Sequence, residues 1–286
     1  MNVFRTRCVV VGLLLAYGFN VHCQEAPVEK KLLLSNHTQV GLTVLQTLDN
    51  YLSDLEYTGV GLQLRNVTRR YLSTDNQRWS LRSDLTLGLG VCTNYPQTAT
   101  MSCTQLNYGV GLQRHWRVAP NLQLLLGGMA DMDLATRASD RDVNNSANID
   151  ASINLNALAT LRYDFRMWDR PFRFLMDART PLLGAMFVPH RGESYYEIVT
   201  LGDHKDLSVF SSLHNKNGMN LSLLLQLPLR KVAWNIGLLY DRLVYTANGV
   251  AVRRNASGVL LGAAYDFSLF SRTRKNTRTT YLSSEW

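Results

Sequence analysis

Ser212 and His214 stand two residues apart in the stretch Ser211-Ser212-Leu213-His214-Asn215. On a strand, residues i and i+2 share a face, so this spacing brings a hydroxyl beside an imidazole. A serine becomes a nucleophile when a neighbouring base takes its proton and a third group orients that base. No surrounding motif enforces such a triad here. The pair therefore has two readings: catalytic Ser212 and His214 of a lipid-modifying hydrolase at a membrane rim, or a loop histidine that happens to follow serines. His115 and His190 are isolated. No cluster of His, Cys, Asp and Glu has metal-ligand spacing, and no glycine-rich phosphate loop follows a strand. Neither a metal nor a cofactor is expected.

A second set of reactive groups is ionic. Arg82, Asp84, Asp131, Asp133, Arg162, Asp164, Arg166, Arg179 and Asp241 recur at positions that alternate with apolar residues, as do Arg65, Arg69, Arg173 and Asp177. Charges of both signs on one enclosed face must find partners, because an isolated buried charge is strongly unfavourable. They either fill a lumen with ion pairs or line a selective channel. Cys92 and Cys103 flank a polar stretch and, in an oxidising compartment, suit a disulfide. Two unpaired thiols are the other reading.

The elements that must carry these groups have a two-residue hydrophobic period. In 149–167, Ile149, Ala151, Ile153, Leu155, Ala157, Ala159 and Leu161 form one row, and Asp150, Ser152, Asn154, Asn156, Thr160 and Arg162 belong to the other. The same pattern recurs from about residue 57 to 270, in segments often 13 to 19 residues long. Globular strands usually run about 5–6 residues. The polar row holds Gly, Asn, Asp, Ser and Arg but almost no Lys or Glu, unlike a solvated face. Short turns fall at 73–77, 119–121, 168–171 and 228–231, and longer polar connections at 92–103, 137–148, 189–217 and 246–254. Trp79, Trp116, Phe165, Phe172, Phe174, Trp234 and Phe267 collect on the apolar row near the short turns, as an interfacial girdle does. A soluble sandwich has no reason to sort its rings this way. The pattern predicts an all-β, transmembrane, antiparallel up-and-down β-barrel of twelve strands, with ten as the alternative. The difference is a hairpin pairing Tyr195–Leu201 with Leu207–Leu213.

The ends divide accordingly. Residues 1–23 read as a signal peptide, with Arg5 and Arg7 before the apolar run Val9–Phe19. That run is too short to span a bilayer as a helix. Residues 24–37 read as a periplasmic lead-in, 38–270 as the barrel and 271–286 as a polar periplasmic tail. The formal charge of +8 comes from 24 Arg and 6 Lys against 22 acidic residues. In an exported chain this excess suits anionic lipid head groups rather than nucleic acid. The expected location is the outer membrane of a Gram-negative cell. The expected partners are its lipids, lipopolysaccharide and the barrel-assembly machinery.

Leu48-Asp49-Asn50-Tyr51-Leu52-Ser53-Asp54-Leu55-Glu56-Tyr57-Thr58-Gly59 resembles a signature of a Bacteroides-type family of outer-membrane proteins of this size, a domain family of unknown function. Pro181-Leu182-Leu183-Gly184, Ser194-Tyr195-Tyr196-Glu197-Ile198 and Leu213-His214-Asn215 resemble it too. The resemblance covers nearly all of the mature chain. It implies the location and no activity. Gly262, Tyr265, Phe267 and Phe270 also resemble a barrel-assembly signal, departing from it at Leu260 and in the tail that follows. Three functions stay open at this point: a structural barrel or narrow small-solute channel, a rim hydrolase, and a surface scaffold that binds a ligand with its external loops.

Overall fold

The computed structural model describes residues 29–141, 146–202, 206–229, 232–267 and 279–283. The expected signal peptide and most of the expected tail lie outside them. Thirteen strands follow in order: β1 (Glu29–Leu32), β2 (Leu34–Asp49), β3 (Ser53–Tyr71), β4 (Trp79–Asn94), β5 (Thr100–Ala119), β6 (Leu122–Ser139), β7 (Ala147–Met167), β8 (Arg170–Phe187), β9 (Ser208–Ser212), β10 (Lys216–Leu229), β11 (Val232–Ala247), β12 (Val250–Phe267) and β13 (Thr279–Leu282). Strands β2 to β8 and β10 to β12 pair antiparallel with their neighbours, and β8 with β10 completes the circle. The barrel is closed and ten-stranded. Closure leaves no open sheet edge, which is what allows strands to cross lipid.

The twelve-strand expectation is corrected by the segment after β8. Glu197–Leu201 forms a single π-helical turn instead of a strand. Ser208–Ser212 pairs with Leu183–Phe187 at the outer end of β8 and then runs through a three-residue turn into β10. It is the outer end of the same barrel strand as β10, the eighth of the ten. At the termini, β2 begins at Leu34, inside the expected lead-in, and β1 pairs in parallel with β13.

Alternation sets the faces. Leu42, Val60, Leu62, Leu89, Ile153, Leu155, Trp234 and Leu261 are exposed on the outside, while Arg65, Arg82, Asp84, Asp131, Arg137, Asp150 and Asp177 are buried inside. A transmembrane strand needs only about 9–11 residues, so these strands of 14–21 residues project beyond a bilayer. The outer connections are mostly shorter than the polar sequence suggests. Between β4 and β5 only 95–99 is loop, and β11 joins β12 through Asn248-Gly249. Both residues there have positive φ, 51° and 73°, the conformation that a two-residue hairpin turn requires and Asn-Gly supplies with least strain.

Candidate functional site

The lumen is built by cross-wall ion pairs. Arg82 on β4 donates from Nε to Asp84 Oδ1 at 2.7 Å and from Nη2 to Asp84 Oδ2 at 2.9 Å. Its Nη1 reaches Asp177 on β8 at 2.6 Å and Thr160 on β7 at 3.1 Å. Thr160 Oγ1 donates to Asp177 at 2.5 Å. Arg65 approaches Asp84 at 3.7 Å and Arg69 approaches Asp177 at 3.9 Å. Two-pronged guanidinium–carboxylate contacts are the stronger form of ion pair. Four leucines, Leu175, Leu224, Leu239 and Leu260, fill the interior along β8, β10, β11 and β12. Gly41 makes room for Leu260, since a Cβ there would stand 2.5 Å from Leu260 Cδ2.

Nearer the outer end a second network spans the lumen. Arg137 on β6 binds Asp49 on β2 at 2.6 Å and Asp150 on β7 at 2.7 Å. Asn148 donates to Asp49, and Tyr245 on β11 donates to Asp150. Arg254 on β12 meets Asp133 on the far wall at 2.6 Å. Arg179 lies 3.5 Å from Asp131 and donates to Asn107 at 3.1 Å.

Above this network the mouth is covered. Tyr51, Leu52, Tyr57, Met101, Val188 and Val250 belong to one buried apolar cluster. The segment after β8 is tied across it. Tyr51 Oη donates to the Glu193 carbonyl at 2.7 Å. Tyr195 Oη donates to Asn148 Oδ1 at 2.9 Å and accepts from the Ile149 amide at 2.7 Å. Burial pushes the Tyr195 phenol up to about 12 and raises that of Tyr51 further. Arg191 Nη2 contacts both Asp54 oxygens, at 2.9 and 2.8 Å. Two internal cavities beneath the cover measure about 40 Å³ each, room for a water or two.

Ser212, paired with Leu183 on the outer half of β8, holds its Oγ 2.5 Å from His214 Nδ1, as their spacing suggested. Asn215 does not orient the imidazole. Its Oδ1 accepts from the Ser212 amide at 2.9 Å and its Nδ2 donates to the Phe210 carbonyl at 2.8 Å, so it builds the turn. No acidic side chain among the described residues hydrogen-bonds His214.

The other expected residues sort as follows. Arg82, Asp84, Asp131, Asp133 and Arg162 are buried in the lumen, and Arg179 and Asp241 are partly buried there. Arg166 is corrected: it is exposed beside the Trp168-Asp169 turn, because the lumen row runs out at the barrel's end. Asp164 sits at the same rim, half-exposed, 2.5 Å from Arg173. Cys92 and Cys103 are free thiols, which corrects the expected disulfide. The β4–β5 register sets Cys92 opposite Met101 and Cys103 opposite Gly90, so the two are diagonal neighbours. Trp79, Trp116, Phe165, Phe172, Phe174, Trp234 and Phe267 lie near the short-turn end, with Phe165 stacked between Tyr163 and Phe172. Arg137, Arg254 and Lys216 were hidden from pattern reading because they sit in stretches that read as loops. Continuing the two-residue period through 137–139 and 250–254 would have found the first two.

The family model described as protein of unknown function, DUF3316, matches residues 8–274. The chain belongs to this family. No curated protein matches it in sequence. Among solved structures, this DUF3316 member is similar to the outer-membrane protease OmpT from Escherichia coli, with a TM-score of 0.50 and 10% identity over 82% of this chain and 97% of that one. It also matches the transport unit of the autotransporter AIDA-I from Escherichia coli, with a TM-score of 0.43 and 10% identity over 87% and 92% of the two chains. The translocator domain of NalP from Neisseria meningitidis matches at 0.37 and 13% identity over 92% and 97%. At these identities the likeness is one of fold, an outer-membrane β-barrel, and a shared fold does not carry activity with it.

Proposed function

We propose that this DUF3316 protein is a structural outer-membrane barrel, sealed along its axis. The observation that supports this reading is the crossing of the lumen by Arg82–Asp177, Arg137–Asp49 and Arg254–Asp133 beneath a covered mouth. A small-solute channel needs a continuous wet path, whereas wider barrels with open channels have 16–18 strands. The apolar belt and ring girdle support a reading in which the barrel sits in the outer membrane and gets there by export with a cleaved signal peptide. Reconstitution in planar bilayers tests the seal. The purified barrel should give no stepwise conductance, and steady ohmic steps at low voltage would refute the sealed reading in favour of a channel.

The 2.5 Å contact between Ser212 Oγ and His214 Nδ1 favours a second reading, a hydrolase acting on acyl esters at the rim. An activated serine reacts with a fluorophosphonate probe. Labelling at Ser212 that is lost in both Ser212→Ala and His214→Ala would support it. Absence of labelling in the assembled wild-type protein would remove it.

A further inference from the structure

Among the described residues, the ladder of the closed wall lapses between β8 and β10 at Thr180–Leu182. Strand β8 pairs with β10 from Arg173 to Arg179 and with β9 from Leu183 to Phe187. Between them, Thr180-Pro181-Leu182 faces the turn and the first residues of β10 with no ladder. Pro181 has no amide hydrogen to offer. On its other side β8 is also irregular: Asn156 pairs with Pro181 and Leu155 with Leu183, so Leu182 is an extra residue. Thr180 Oγ1 donates to the Gly218 carbonyl at 2.8 Å across the interval, and Pro181 packs against Gly218. Unpaired backbone at membrane depth is tolerated where it lines a polar cavity, and here it does.

Outside the lapse is a groove of about 490 Å³ bounded by Leu126, Ala157, Ala159, Ala178, Thr180 and Met219. Small side chains line it, and its outward walls are mostly apolar, with Thr180 and Asn217 at the end next to the lapse. Inside the lapse is one of the small polar cavities. Arg179, Gly218 and Met219 line both spaces, so the groove and the cavity lie back to back across this unladdered stretch, where Pro181 packs against Gly218 and the two strands must part slightly for a ligand to reach both. On the inner side stands Lys216, the first residue of β10, 4% exposed. Its Nζ donates to Ser152 Oγ at 2.8 Å and Asn154 Oδ1 at 2.7 Å, both neutral. Asp131 and Asp133 attract it from farther off but are engaged by Arg179 and Arg254. Among the described ion pairs, Lys216 has no carboxylate. A buried ammonium held only by neutral oxygens is incompletely compensated.

The geometry points to a binding site for a single-chain amphiphile with a carboxylate head. The chain lies in the groove on the lipid face, and the head passes between β8 and β10 to meet Lys216 and Arg179. The inner cavity is small, about 40 Å³, which favours a compact head, and its lining sets Lys216, Arg179 and Arg254 against Asp131, Asp133 and Asp241. The site is lateral, so it does not depend on the axial seal, and either reading can fail alone.

The full chain in non-ionic detergent, titrated with a fluorescent long-chain polyene carboxylate, tests this. The acid should bind saturably and its methyl ester much more weakly. Lys216→Gln keeps a polar group but removes the charge, and should weaken binding by roughly tenfold or more, the size of one lost charged hydrogen bond. Ala178→Phe fills the groove from outside and should weaken acid and ester alike. Heat-modifiable migration on gels confirms that each variant has assembled. If Lys216→Gln does not assemble, Ala178→Phe and the acid–ester comparison decide. Lack of saturable binding, equal affinity for acid and ester, unchanged affinity in assembled Lys216→Gln or in Ala178→Phe, or displacement by a phospholipid as readily as by the unlabelled acid would each overturn the site.

Discussion

Arg82 and Lys216 are both cations buried in the lumen of one barrel, and they are held in opposite ways. Arg82 spends its guanidinium on two carboxylates and a threonine, joining β4 to β8 across the interior. Lys216 reaches only a serine and an asparagine on β7, beside the lapse in the β8–β10 ladder. The side-chain chemistry explains part of the difference. A planar fork fits a carboxylate at two points and a neighbour at a third, whereas an ammonium on a flexible stem is a point charge with rotatable donors. What the pair teaches is that burial of a charge does not by itself say structural. Complete compensation marks a tie between walls, and incomplete compensation beside such a lapse marks a place where something else supplies the counter-charge.

The sharpest way to break this comparison is Arg82→Ala. It leaves Asp84 and Asp177 with only the longer contacts to Arg65 and Arg69 and the Thr160 hydroxyl, and removing one partner of a buried pair costs up to about 3–5 kcal/mol. Urea unfolding in lipid vesicles should show that loss, while Lys216→Gln should leave the midpoint nearly unchanged. Equal destabilisation by the two would erase the distinction.

The next effect contrasts the two faces of β7. Leu155 is 56% exposed on the outside, so Leu155→Arg should cost about 2–4 kcal/mol near mid-bilayer and reduce the yield of assembled barrel. Asn154, one residue away, faces a lumen that alternation alone would treat as roomy. Its amide instead donates to Asp131 and its carbonyl accepts from Lys216. Asn154→Arg should therefore also impair assembly, through crowding, and its yield compared with Gly88→Arg, at a position beside a cavity where a Cβ would meet only Gln105 at ordinary contact distance, measures how full the lumen is.

The smallest effect concerns the cover. Tyr195→Phe removes the contacts to Asn148 and Ile149 and should cost about 0.5–1.5 kcal/mol per hydrogen bond, confined to the outer mouth. Faster protease nicking in 188–207 with an unchanged heat-modifiable barrel is the expected outcome. A shift in global unfolding would mean that the cover is part of the barrel's own cooperative unit.

Much of this was legible from residue order, and the misses have physical causes. Leu155 and Asn154 declare opposite faces because a strand's side chains alternate strictly. Trp79, Trp116 and Trp234 mark one end because rings gather at an interface. The stretch 246–254 read as a long loop, although Asn248-Gly249 between two alternating runs is a tight-hairpin signal. Tyr195–Leu201 alternates too, yet folds as a π-helical turn. Periodicity states that a segment has two faces, but not that a partner strand is there to pair with it. The Ser212–His214 spacing was visible, but Asn215's role in the turn was not.

Sequence by itself determined the class of fold, the inside and outside of each strand, and the end that carries the ring girdle, since all three follow from local periodicity and composition. Tertiary structure decided that ten strands close the circle, that Arg82 finds Asp177 and Arg254 finds Asp133, that Cys92 and Cys103 sit diagonally, and that the ladder lapses between β8 and β10. These depend on register and on distances across the lumen. Neither is encoded in any one strand, because a residue's partner on the far wall is set by how many strands lie between and by the offset each adjacent pair adopts.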